Sequence, residues 1–174
     1  MPIQHATLRK TTQRSPQAFA SVEEVAGKLL AYLNEPEVQE RIALVHKLGA
    51  SSVEVQSAVL PGVQALGFTP EKKGLFQTYA VPALRPDYYL KIEDTGILLE
   101  VERGKTTTNN MDLLDFWKCH ICDHAEYLFL LVPQARPSES GSVMRHFKQA
   151  QNRLSTFFIP KNYANVEAVF LFGY

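Results

Sequence analysis

The stretch RPDYYLKIEDTGILLEVER, residues 85–103, decides the fold because it combines two strand-like runs with a turn signal between them. The turn signal is the tripeptide 94–96, Asp-Thr-Gly, which is typical of the connection in a β-hairpin. Pairing Ile92 with Ile97 across this turn sets the register of the two strands. The sequence therefore predicts an antiparallel hairpin, and the rest of the chain is interpreted around it.

In this register Asp87 lies directly opposite Glu102, and Glu100 is the diagonal neighbour of Asp87 at roughly 7 Å. Side chains along a strand alternate between its two faces. One face is therefore apolar and comprises Tyr88, Leu90, Ile92, Ile97, Leu99 and Val101. The other face carries the three carboxylates together with Tyr89, Lys91 and Leu98.

Like charges on facing strands destabilise the pair and raise the pKa of each carboxyl group unless a positive charge lies among them. A hard divalent cation such as Mg²⁺ supplies that charge and prefers carboxylate oxygens. The acidic face is therefore a predicted metal site. The alternative is a solvated outer face of the hairpin, where Lys91 and Arg103 relieve the repulsion.

Two helical segments open the chain. The first begins after Ser21, has apolar residues at i, i+3 and i+4 spacing, and ends at Asn34. The second runs from Pro36 to about Leu48, since proline is favoured at the first helical position. Residues 1–20 show no such pattern and are predicted to form a loose tail.

A third helical segment begins at Ser51, which has capping-box spacing to Glu54. Pro61 is expected to kink or divide this helix. We predict one domain spanning the whole chain, with the tail over 1–20, a helical extension over 21–50 and the core over 51–174.

Strand-like and helical runs alternate through the core. The runs 76–81, 126–132 and 166–174 are predicted strands, and 109–124 and about 141–157 are predicted helices. The apolar stripe that should bury the helix 109–124 comprises Met111, Leu114, Trp117 and Ile121. Because the run 126–132 is nearly all apolar, it should be covered on both faces. The order predicts an α/β fold with a central mixed β-sheet flanked by helices, preceded by the N-terminal helical segments.

Pro86-Asp87, the short hairpin and Glu100-Val101-Glu102, set in this order of elements, resemble the PD-(D/E)xK nuclease superfamily. The resemblance covers about Ser51 to Val132, and the later helix and strand extend it to the end of the chain. It implies a restriction-endonuclease-like core. One position departs from the pattern: Glu102 stands where most members have a lysine, which gives the E-x-E variant.

The resemblance implies that Asp87 and Glu100 are metal ligands, with the Val101 carbonyl as a further ligand. Glu102 would orient or deprotonate the attacking water. The cofactor would be Mg²⁺ or Mn²⁺, and the substrate DNA, with RNA left open. Three weaker candidates are Lys91 and Lys105, which could replace the missing lysine, and Glu54, an additional helix-borne acid whose spacing favours the capping role.

Other motifs point to different chemistry but fit less well. The run 103–108, RGKTTT, would be a phosphate-binding loop only if residue 99 were glycine, and it is Leu99. In a helix, Cys119 and Cys122 point roughly 100° away from the neighbouring histidines, so the four cannot easily share a zinc ion. Free thiols are expected instead. For Lys118 and His120, in the same helix, the alternatives are contact with the backbone phosphate of a substrate and exposure to solvent, and exposure to solvent is predicted.

Charge and composition add little about partners. The 18 basic and 18 acidic residues give no net charge, and so no global field toward nucleic acid. The absence of an apolar leader or membrane-length run favours a cytoplasmic protein. We therefore predict a Mg²⁺-dependent endonuclease, and a homodimer if it cuts both strands symmetrically. The alternatives are a nuclease-fold domain that binds nucleic acid or protein without turnover, and an interaction module with no ion site.

Overall fold

The computed structural model describes residues 2–47, 51–71, 74–79, 84–103, 106–137 and 143–174. Within these ranges, no helix combines the length and the apolar character that crossing a lipid bilayer requires. The elements of the first half, in chain order, are β1 (Gln4–Arg9), α1 (Pro16–Leu33), α2 (Pro36–Val45), α3 (Ser52–Ala65), β2 (Thr69–Pro70), β3 (Tyr88–Ile92) and β4 (Thr95–Val101). The second half contains α4 (Met111–Ile121), β5 (Tyr127–Val132), β6 (Arg136–Pro137), β7 (Val143–Met144), α5 (His146–Ser155), a 3-10 turn (Thr156–Phe158) and β8 (Ala168–Gly173).

Six strands form one mixed sheet in the order β1-β8-β5-β4-β3-β2. The central pairs β8·β5 and β5·β4 are parallel, while β1·β8, β4·β3 and β3·β2 are antiparallel. Strands β6 and β7 form a separate two-stranded sheet. The prediction of an α/β fold around a central mixed sheet is confirmed.

Helices cover both faces of the sheet. One face packs against α1, α2 and α3, and the other against α4 and α5. Every residue of β5 and β8 is buried, as expected for apolar strands at the centre of a covered sheet. The alternation predicted for the hairpin is also observed, because Ile97 and Leu99 join the first core and Leu98 joins the second.

The prediction of a loose tail over residues 1–20 is wrong. Residues 4–9 form the edge strand β1, whose register pairs Gln4 with Gly173. Helix α1 begins at Pro16 and not after Ser21, because the Ser15 side chain caps it by accepting a hydrogen bond from the Ala18 N–H at 3.1 Å. The pattern hid the strand because its side chains are only partly covered by the sheet edge.

The predicted strand over 76–81 and the predicted start of the last helix both differ from the structure. Residues 76–79 of the expected strand 76–81 lie in a turn, and residues 80 and 81 lie outside the described ranges. Phe76 packs against Tyr79, and the Tyr79 hydroxyl donates to the Ile121 carbonyl at 2.6 Å, so the turn docks on α4 instead of pairing in the sheet. Helix α5 begins only at His146, after β7.

The capping box at the start of α3 is present as the spacing predicted. Pro61 lies inside that helix but does not divide it.

Candidate active site

The hairpin register differs by two residues from the predicted one. Ile92 pairs with Thr95, across a two-residue turn formed by Glu93 and Asp94, and not with Ile97. Glu93 takes the left-handed conformation that the turn requires (φ 51°). Because a shift of two residues keeps every side chain on its face, the three acids still share one face. Asp87 now lies across from Glu100 and not from Glu102.

Gly96 accounts for the difference between the predicted and the observed position of the turn. It lies within β4, and its small size makes room for the Tyr89 ring, which packs over it from β3. A Cβ atom at residue 96 would come within 2.4 Å of that ring and within 2.8 Å of the His124 carbonyl oxygen. Glycine is therefore needed here for close approach and not for a turn.

Gly96→Ala should therefore destabilise the fold. We expect a loss of about 1.5 kcal/mol in the free energy of unfolding, because the added methyl forces the Tyr89 ring or the neighbouring backbone to move. Urea denaturation measures it. The double variant Gly96→Ala with Tyr89→Ala should recover part of the loss; equal losses in the two variants would show that the ring is not the obstacle.

The carboxylates of Asp87 and Glu100 both accept hydrogen bonds from backbone N–H groups. The Asp87 N–H donates to Glu100 Oε2 at 3.1 Å, and the Val101 N–H donates to Asp87 Oδ2 at 2.8 Å. The Gln56 side chain, from α3, makes a further hydrogen bond to Asp87. The two carboxylates are thus fixed in orientation at the end of the hairpin.

Helix α4 buries a different face from the predicted one. Its buried side chains include Asp112, Asp115 and Lys118, whereas Leu114 and Trp117 of the predicted apolar stripe are 37% and 44% exposed. The expectation that Lys118 faces solvent is therefore wrong. The charged stripe faces the acidic side of β4, and this placement explains why polar side chains are buried.

Lys118 lies between two of the buried acids. Its Nζ is 2.7 Å from Glu100 Oε1 and 2.8 Å from Asp115 Oδ1. Burial alone would lower the pKa of Lys118, but the attraction of these two carboxylates outweighs it and raises that pKa. Lys118 is therefore held as a cation inside the acidic cluster, which we define as Asp87, Glu100, Glu102 and Asp115.

All four acids of the cluster have raised pKa values. Burial is the largest cause for each. Repulsion from Asp115 and Asp87 adds to burial at Glu102 and raises its pKa to about 8. Lys118 opposes the shift at every one of the four but does not cancel it. One ammonium group is thus too little positive charge for this set of carboxylates.

Glu102 follows directly after β4. Its N–H donates to the Leu131 carbonyl at 2.8 Å, and its own carbonyl accepts a hydrogen bond from the Tyr174 hydroxyl at 2.7 Å. In a strand, the N–H and C=O of one residue point toward the same neighbour. The Val101 carbonyl is therefore directed to the side of β4 on which Asp87 lies.

The weaker candidates lie elsewhere. Lys91 is exposed and pairs with Gly96, about 13 Å along β3 from Asp87. The Glu54 carboxylate accepts from the Ser51 N–H at 2.6 Å and so fills the capping role that its spacing favoured. Gln56, two residues later, reaches Asp87 in its place. Lys105 lies outside the described residues.

Sequence reasoning missed Asp115 and Lys118. The signal was present, since Asp112, Asp115 and Lys118 form a charged i, i+3, i+6 stripe on α4. The apolar stripe beside it gives a competing signal, because apolar residues usually face the core. His120, of the same helix, is only partly exposed, and its Nδ1 accepts a hydrogen bond from the Asn165 N–H at 3.0 Å. Cys119 and Cys122 are buried free thiols, as expected.

The acidic cluster fits a hard cation by its donor chemistry. Carboxylate oxygens are the ligands that Mg²⁺ and Mn²⁺ prefer, and a divalent ion would offset the mutual repulsion that adds to burial in raising the pKa values of Glu100 and Glu102. Over the described part of the chain, however, no three His, Cys, Asp or Glu side chains are arranged around a common point as metal ligands. Lys118 takes up one oxygen each of Glu100 and Asp115.

Comparison with known proteins gives similarity to solved structures alone. No protein-family model matches the sequence, and no curated protein matches it. Among solved structures, the chain is similar to the restriction endonuclease BglII in complex with a DNA 16-mer, with 13% sequence identity and a TM-score of 0.47. The similarity covers 99% of this chain and 78% of that chain.

Proposed function

We propose that this protein is a metal-dependent nuclease that hydrolyses phosphodiester bonds of DNA. The observation that carries the proposal is the acidic cluster with Lys118 at its centre, placed where the parallel strand β4 ends. Buried acids with raised pKa values and a paired lysine are typical of sites that handle charge and protons. The PD-Asp and E-x-E residues that resemble nuclease motifs belong to this same cluster.

Each residue has a role in this proposal. Asp87, Glu100 and the Val101 carbonyl would hold the ion, which supplies Lewis-acid polarisation of the phosphate and a more acidic bound water. Glu102, whose pKa is raised to about 8, would accept a proton from water in its ionised form, which becomes populated as the pH rises toward 8. Lys118 provides the positive charge that the usual third-motif lysine would bring, from α4 instead of from β4.

The test is cleavage of supercoiled plasmid DNA in Mg²⁺ or Mn²⁺, beside calorimetric titration of Mn²⁺. We expect nicking by the wild type and none by Asp87→Asn or Glu100→Gln, since either change removes a carboxylate charge from the cluster. Glu54→Gln is the matched control and should cleave like the wild type. Metal-independent nicking, or nicking that survives in both cluster variants, would refute the proposal. A structured RNA in parallel reactions decides between the two nucleic acids.

A second candidate is a nuclease-like domain that binds nucleic acid or a protein without turnover. The position of Lys118 favours it, because the ammonium group already neutralises part of the charge that a cation would offset. DNA binding in EDTA, with neither Mn²⁺ binding nor nicking, would support this candidate. A homodimer and a cytoplasmic location remain predictions.

A further inference from the structure

A cavity of about 580 Å³, lined by none of the acidic-cluster residues, has no role in the chemistry described above. It opens where β5 and β8 end, between α2 and the start of α5. Its walls include Ile42, His46, Gln134, Arg145, Lys148 and Tyr174. Its volume falls in the range of roughly 300–1,000 Å³ that is usual for small-molecule sites.

The charge of the cavity is one-sided. Arg145 and Lys148 line it, and no acidic residue is among its described lining residues. Neither cation forms an ion pair within the part of the chain that the structure describes. Arg145 is the N-cap residue of α5 and Lys148 lies in the first turn of that helix, where the helix dipole adds to the positive potential. The cavity is therefore suited to an anion.

The remaining walls suit a flat group with polar edges. The Tyr174 ring stands in edge contact with the His46 ring, at 5.3 Å between centroids. The Gln134 amide donates both hydrogen bonds of its Nε2 to the backbone, to the Pro2 carbonyl at 2.7 Å and to the Gly173 carbonyl at 3.0 Å. Its orientation is thereby fixed, and Oε1 is left as an acceptor for a ligand N–H group.

We propose that this cavity binds a single nucleotide, with the phosphate at Arg145 and Lys148 and the base between Tyr174 and Gln134. The choice of a nucleotide among anions rests on the proposed function. The Tyr174 hydroxyl donates to the Glu102 carbonyl at 2.7 Å, so a lining residue of the cavity contacts the backbone of a residue whose carboxylate belongs to the acidic cluster. The nucleotide is either a free nucleoside monophosphate or an unpaired nucleotide of a bound strand.

Calorimetry with dAMP, dGMP, dCMP and TMP, all in EDTA, tests whether the cavity binds a free nucleoside monophosphate. Binding of at least one is expected, and each of Arg145→Gln and Lys148→Gln should weaken it about tenfold through the loss of a charge-assisted hydrogen bond. Lys161→Gln, an exposed lysine outside the cavity, is the control. Inorganic phosphate alone must bind more weakly than the nucleotide; equal affinity would overturn the assignment of a base site.

Single-stranded DNA and mismatched duplexes carrying 2-aminopurine test the strand source. Entry of the unpaired base into the cavity should change its fluorescence, and Ala43→Trp, which fills the mouth of the cavity, should abolish that change. Leu44→Trp is the matched control, because Leu44 is exposed on the same helix but does not line the cavity. A response in either arm supports the proposal and identifies the source of the nucleotide.

If neither nucleotide binding nor the change in 2-aminopurine fluorescence is observed, the proposal of a nucleotide site in this cavity is overturned. Because all binding is measured in EDTA, a protein that cleaves nothing can still pass this test. Conversely, metal-dependent nicking that is unchanged in Ala43→Trp, without nucleotide binding, refutes the cavity proposal and leaves the nuclease proposal standing.

Discussion

Lys118→Met is expected to lower the free energy of unfolding by about 3–5 kcal/mol at pH 8, because it leaves buried carboxylates without their cation. Methionine keeps most of the apolar stem, so the loss should come from charge and not from packing volume. The same variant should not cleave DNA. Denaturation in urea at pH 5 and at pH 8 measures the change in stability.

The pH dependence identifies the cause. Without Lys118, the folded-state pKa values of Glu100 and Asp115 rise further above those of the unfolded chain. An acid with a raised folded-state pKa stabilises the fold less as pH rises above its ordinary value of about 4. The loss should therefore be much smaller at pH 5 than at pH 8, and Glu100→Gln added to Lys118→Met should recover part of it.

The control for this experiment is Lys28→Met, which removes the exposed ammonium that is paired with Glu24 on α1. Because both partners are exposed, this variant should unfold like the wild type. Equal losses for Lys118→Met at both pH values would show that Lys118 acts through packing alone.

Glu102→Gln is expected to stabilise the metal-free protein at alkaline pH. The pKa of Glu102 is raised to about 8, so between about pH 4.5 and 8 the folded state binds more protons than the unfolded state, and stability falls as pH rises. The amide has no proton to lose. At pH 8 in EDTA the variant should therefore be more stable than the wild type by about 2 kcal/mol.

Mn²⁺ should reduce this difference in stability, since the cation offsets the repulsion that Asp115 and Asp87 exert on the Glu102 carboxylate of the wild type, whereas the amide of the variant carries no charge. Glu54→Gln is the control, and it should destabilise the protein where Glu102→Gln stabilises it. The pKa of Glu54 is lowered by its hydrogen bonds to Ser51, so the stability lost in Glu54→Gln should be constant from pH 6 to pH 9. Thermal melts with and without metal record all three proteins. If Glu102→Gln shows the same pH slope as the wild type, Glu102 does not titrate in this range.

The sequence predicts the fold correctly where one physical requirement, such as burial on both faces of a sheet, determines the pattern of apolar residues. β5 and β8 must be apolar throughout because helices cover both sides of the sheet, and both were found. The hairpin faces were right because alternation survives a shift of two residues. The register was wrong because Gly96 can serve a turn or a close contact, and only the Tyr89 ring distinguishes the two.

The candidate site was predictable only where one segment carries it. Asp87, Glu100 and Glu102 share a hairpin, so local geometry brought them together. Asp115 and Lys118 come from α4, whose orientation depends on what the neighbouring strand exposes, and a helix with both an apolar and a charged stripe has two possible inward faces. Burial of the charged stripe costs solvation energy, which is offset by the ion pairs of Lys118 with Glu100 and Asp115 and of Arg153 with Asp112.

The edge strand β1 also constrains how the protein can fold. It pairs with β8, so Gln4 meets Gly173 across almost the whole length of the chain. Contacts between residues so distant in sequence close a large loop, and they form slowly. During synthesis, β8 must emerge from the ribosome before β1 can pair with it. Until then the β1 backbone remains open to pairing with another chain.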